Sequence, residues 1–117
     1  MSASPAERRR KGRAAEREVV TYLREQDIPV EDLNRSGFDG GDLEIDEVIA
    51  GEVKNHVSYD FPSWLRQAKA QAMPGQIPVV FAKRNKTTDV SKWFVVLELG
   101  EAVALIRYAI KGWRNDR

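Results

Sequence analysis

The sequence predicts an α/β domain with a mixed central β-sheet flanked by helices, in the order α-β-β-β-α-β-β-α. Three observations predict it. The chain has 117 residues, 42% hydrophobic and 32% charged, enough for one core-bearing domain spanning residues 1–117 without disulfide or metal staples. Helix-period apolar stripes open, divide and close the chain. Between them lie short segments that either alternate or run continuously apolar, as half-buried and buried strands do.

The elements follow in order. Ser4-Pro5-Ala6-Glu7 is a capping box with proline at the first helical position, and a helix runs to about Gln26. Ala15, Val19, Tyr22 and Leu23 share one side of it. Arg8, Arg9, Arg10, Lys11 and Arg13 precede that stripe, and Gly12 weakens the helix there by about 1 kcal/mol relative to alanine. Residues 1–10 are therefore either fraying turns or a mobile basic arm. Ile28-Pro29 breaks the helix. Val30 to Leu33 is a short strand, and the glycine-rich run 34–41 is a loop. Asp42 to Ile45 alternates as a strand, Asp46-Glu47 turns, and Val48 to Lys54 is the next strand.

A second helix spans Phe61 to about Ala72, capped near Asp60 and ended by Met73-Pro74-Gly75. Ile77 to Ala82 reads as a buried strand, residues 83–92 as a polar loop and Trp93 to Glu98 as a strand. The last helix, Gly100 to about Trp113, is expected to lay Val103, Leu105, Ile106, Tyr108, Ala109 and Ile110 on the core.

Composition excludes several chemistries. There is no cysteine and a single histidine, His56, so disulfides, thiolate sites, Cys nucleophiles and His-rich metal sites are ruled out. No apolar run approaches the roughly 18 residues that span a bilayer. The N-terminus lacks the apolar segment of a secretory signal, so the expected location is cytoplasmic, the host's cytoplasm if the gene is a phage's.

A net charge of +1 conceals segregation: residues 31–52 carry eight acids and one base, whereas residues 1–18 are net +3 and residues 53–117 net +6. Such asymmetry points to site chemistry or a charged ligand. Asp42 opens one strand after the glycine-rich loop. Glu52 and Lys54, two apart on the next, share a face, while Val53 between them faces the core. Two carboxylates brought close repel unless protonated or metal-bound. Hard oxygen ligands suit Mg²⁺, with Mn²⁺ a substitute, and a backbone carbonyl near Ala50, Gly51 or Val53 could complete them. Such a metal activates water and neutralises charge developing on phosphate, and Lys54 adds a further positive charge. The same short pattern also arises from charged pairs on a solvated sheet face.

Lys11-Gly12, Glu16-Arg17-Glu18, Gly41-Asp42-Leu43 and Glu52-Val53-Lys54 together resemble the PD-(D/E)xK nuclease superfamily, most closely the archaeal-type Holliday junction resolvases and their phage relatives. The resemblance covers roughly residues 10–100. It implies a restriction-endonuclease-like fold, a homodimer, and Mg²⁺-dependent cutting of four-way DNA junctions in recombination and repair. By the same resemblance Glu16, Asp42 and Glu52 are metal-site acids, Lys54 is the catalytic lysine, and Lys11 and Arg17 bear on DNA phosphates. Arg35 and Ser36 fall near the family's Arg-Ser loop with a different spacing to Asp42. Gly41 stands where the superfamily's name has proline, a residue the chemistry does not require.

Beside a nuclease site, Arg9, Arg10, Lys11 and Arg13 become phosphate contacts, and Lys83, Arg84 and Lys86 a second one. Gln67 and Gln71 either orient groups at the site or are solvated, and His56 either touches phosphate or is a bystander. Trp64 and Trp93 read as core or dimer interface rather than stacking platforms. The alternatives are another structure-selective or nicking nuclease of the superfamily and, from a different class, an inactive DNA-binding accessory module.

Overall fold

Ser4 Oγ accepts a hydrogen bond from Glu7 N at 3.2 Å, and from this cap α1 (Pro5–Glu25) runs unbroken through Gly12. The computed structural model of the chain describes residues 4–33 and 42–116. The expected 34–41 loop, with Arg35 and Ser36, lies outside them. After α1 come β1 (Val30–Asp32), β2 (Leu43–Ile45), β3 (Ile49–Lys54), α2 (Phe61–Gln71), β4 (Ile77–Ala82), a 3-10 turn (Val90–Lys92), β5 (Phe94–Val96) and α3 (Leu99–Asn115). The element order is the one the sequence predicts.

The five strands form one sheet in the order β1-β2-β3-β4-β5. All neighbours are antiparallel except β3 and β4, which are parallel and joined through α2. Asp46 and Glu47 turn β2 into β3 with φ of 48° and 61°, the left-handed pair that suits a tight hairpin. The sheet has two covered faces. Ala15, Val19 and Val20 of α1 pack with Leu43, Val53, Val79 and Phe81 on one side, and Trp64 and Ala68 of α2 pack with Val80 and Ala82 on the other. Alternation along β4 thus serves two cores, which is why all six of its residues are buried. Pro78, opposite Ala50 of β3, is tolerated because β5 pairs only from Val80 onward, so no β5 hydrogen bond is asked of it.

Gly51 is where backbone and side chains come closest. A Cβ there would lie 2.6 Å from Leu43 Cδ1 and 2.8 Å from Phe81 Cε2, so glycine lets the fully buried Leu43 fill the centre of the sheet.

Three local expectations are corrected. The polar loop 83–92 ends in a 3-10 turn, capped by Asp89 through Ser91 N at 3.1 Å. The final strand is three residues long because Trp93 leaves the ladder to fill the α1-side core. The third concerns α3, none of whose residues is buried. Only Ala104 and Leu105 pack against the α1-side core, whereas Val103, Ile106, Tyr108, Ala109 and Ile110 are exposed. With α1 and α2 already covering the two sheet faces, no third face remains for α3. It is tethered instead by a 2.8 Å ion pair between Lys69 and Glu98.

Candidate functional site

Glu52 is the centre of the candidate site. It lies in the middle of β3 at 3% exposure, and its Oε1 is buried without a hydrogen-bond partner. Burial, then the neighbouring Asp42 charge, push its carboxyl up to about 8; Lys54 opposes the shift, while a hydrogen bond with Asp42 and the charge of Glu16 add to it. These influences show that residues from α1, the start of β2 and β3 are brought within electrostatic reach of one carboxylate.

Asp42 is held by backbone. Its N–H donates to Gly51 O at 3.1 Å, and its Oδ2 accepts from Val53 N at 2.8 Å. The Gly51 carbonyl, considered above as a metal ligand, is thus already engaged. Glu16 is buried on the inner side of α1 although its neighbour Arg17 is exposed. Arg9, Arg13 and Arg17 recur every fourth residue, and with Gly12, Glu16, Asp32 and Asp42 they line one open cleft. Asp32, at the end of β1, is an acid that sequence reasoning missed. Its place depends on β1 pairing with β2, Asp32 opposite Leu43, and no local pattern encodes that register.

Among the described residues, no group of three or more His, Asp or Glu side chains is drawn together closely enough to hold a metal ion. The four predicted residues therefore share a neighbourhood without forming a closed ligand cage.

Lys54 follows on the same face of β3, and its Nζ donates to Gln67 Oε1 of α2 at 2.6 Å. Gln67 is thus a partner of the predicted lysine and not merely solvated. Gln71, one turn further, has a buried Oε1 with no hydrogen-bond partner. The His56 ring lies tilted against Trp64, with centroids 5.2 Å apart and planes 36° from parallel. Trp64 and Trp93 are core residues at 6% and 9% exposure.

The remaining predicted contacts divide. Arg10 and Lys11 are exposed on α1. Lys83 is drawn away into the fold: its Nζ sits 5.3 Å from the Trp93 ring and 3.7 Å from Glu18, in a second cleft beside α1. Arg84 lies over the Phe94 ring at 5.8 Å, and Lys86 is exposed with φ of 63°. The loops after β3 and β4 are laced together. Tyr59 Oη donates to Lys83 O at 3.2 Å and accepts from Asn85 N at 2.9 Å, while Asn85 Nδ2 donates to Val57 O at 2.8 Å.

No helix of the described residues is long and apolar enough to cross a membrane. Comparison of the chain with protein families, with curated proteins and with solved structures finds no match.

Proposed function

We propose that the chain is a Mg²⁺-dependent DNA endonuclease of the PD-(D/E)xK type, acting on four-way junctions as a homodimer. The observation that carries this reading is Glu52, a buried carboxylate with an unsatisfied oxygen, set against Asp42 and Glu16 with Lys54 two residues along the same strand face. A carboxyl so placed costs stability unless it is protonated or meets a cation. The donor set is all hard oxygen, which fits Mg²⁺ or Mn²⁺, and Glu16, Asp42 and Glu52 would hold it. Bound there, the ion would supply water activation and neutralise charge on phosphate.

The chain's own residues do the rest. Val53 N–H fixes the Asp42 carboxylate, and Gln67 fixes the Lys54 ammonium beside the acids. Lys54 then presents positive charge where a pentavalent phosphate would develop negative charge. Arg9, Arg13 and Arg17 line the cleft that leads to the acids and meet the DNA backbone.

Symmetric cutting of two strands requires two copies, and α3 offers the face for pairing. Leu99, Val103, Ile106, Ile110 and Trp113 recur at intervals of four and three residues, the spacing at which one helix receives another, and all five are exposed. The acids Glu98 and Glu101 lie at the start of the helix, and Arg107, Lys111 and Arg114 in its second half. An antiparallel pair centred on Ile106 sets unlike halves side by side.

The test is cleavage of a labelled four-way junction with Mg²⁺ by the wild type and by Asp42→Asn. Cutting by the wild type alone supports the site, and equal cutting by both rejects it. Cutting of flaps or duplex in preference to junctions keeps the nuclease and replaces the substrate. A second reading, a DNA-binding accessory module, is favoured by the lack of a closed ligand group among the described residues. Calorimetry with Mn²⁺ separates the two, since the module binds no cation.

A further inference from the structure

His56 lies beyond the acids, two residues past the end of β3. Its ring rests on Trp64, a residue held in the α2-side core with Ala68, Val80 and Ala82. One turn further along α2, Gln67 holds the Lys54 ammonium. Trp64 and Gln67 are three residues apart and share one side of the helix, so Lys54 and His56 are set next to one another on a single support.

Lys54 faces Glu52 on one side, whereas the charges that reach His56 are positive. Partial burial, then the charges of Lys54 from β3 and Lys11 from α1, hold its imidazole below the usual 6.5. From α2 it meets Trp64, which is uncharged. Asp60, four residues on, is engaged in capping α2 through Ser63 N at 3.3 Å. His56 itself is exposed. An exposed imidazole against a core-held tryptophan, within electrostatic reach of two ammonium groups, suits an anion.

We infer that His56, with Lys54 beside it, forms a phosphodiester-binding subsite that receives the DNA backbone next to the acid site. The inference rests on the nuclease reading for its ligand. In it His56, seated against Trp64, donates an N–H to a phosphate oxygen, and the Lys54 ammonium adds attraction. Because Trp64 is locked in the core, the ring needs little ordering when the backbone arrives.

The test is binding of a fluorescein-labelled four-way junction and of a duplex, by anisotropy in EDTA at pH 6, across a salt series. His56→Ala and His56→Phe are compared with the wild type, and thermal melting checks that each folds. Both variants are expected to bind about 3- to 10-fold more weakly across the salt series, the loss of one hydrogen bond to phosphate. His56→Arg is expected to bind within about twofold of the wild type, because its guanidinium donates N–H groups to phosphate from the same position. If His56→Phe, which keeps the ring contact with Trp64, binds as the wild type does, the ring is only packing and the inference falls while the nuclease reading stands. If the wild type binds neither DNA, both fall together.

Discussion

Lys54 Nζ lies 2.6 Å from Gln67 Oε1, so the last residue of β3 is tied to the middle of α2. The bond crosses from the strand that carries Glu52 to the helix that links the two parallel strands. It leaves the ammonium pointing along one direction where a free lysine would sweep through many rotamers. Gln67→Ala is therefore expected to lower the rate of junction cleavage about 5- to 20-fold, with thermal stability changed by less than about 1 kcal/mol. Single-turnover cleavage at saturating protein measures it. An unchanged rate would remove Gln67 from the site.

Glu52 makes the fold's stability depend on pH. Its folded-state carboxyl titrates at about 8 against an ordinary 4.5, so between those values the folded chain keeps a proton that the unfolded chain has lost. The contribution is fully present below about pH 4.5 and is lost as pH rises toward 8, with a slope on the order of 1.4 kcal/mol per unit. Melting temperatures in EDTA are expected to fall between about pH 5 and pH 9, and Glu52→Gln to flatten that fall. Added Mg²⁺ is expected to restore stability at the alkaline end of the series, by binding the folded chain alone.

Gly51→Ala tests the close approach at the centre of the sheet. The new methyl would meet Leu43 and Phe81 well inside contact distance, and both are buried. Overpacking of this kind costs about 1–3 kcal/mol, read from urea denaturation. A cost near zero would mean that β2 and β3 separate more easily than their packing suggests.

The exposed seam of α3 gives a prediction about mass. The wild type is expected to elute, with light-scattering detection, at about twice its 13.3 kDa. Ile106→Asp, at the middle of the seam, is expected to elute as a single chain with an unchanged circular dichroism spectrum, because no core contact is lost.

The element order was legible in the sequence because each boundary carries its own chemistry. Ser4 and Asp60 cap their helices as their side chains dictate, and Pro74 and Gly75 end α2. The neighbourhood of Glu16, Asp42, Glu52 and Lys54 was legible only as a set, since their charges meet through sheet pairing that no single segment records. Two features were hidden. Asp32 reaches the cleft through the register of β1 against β2. The stripe on α3 marked which residues keep together, but periodicity carries no information on whether their partner is the chain's own core or something else. The answer depended on both sheet faces being already covered.

One phenolic oxygen has a consequence in time rather than in space. Tyr59 Oη both donates to Lys83 O and accepts from Asn85 N, clamping two loops that leave neighbouring parallel strands. Opening either loop breaks bonds in the other, so the two should open as one cooperative unit. Their amide protons, Asn85 N–H foremost, should then exchange with solvent at a common and slow rate, unlike the independent rapid exchange usual for surface loops.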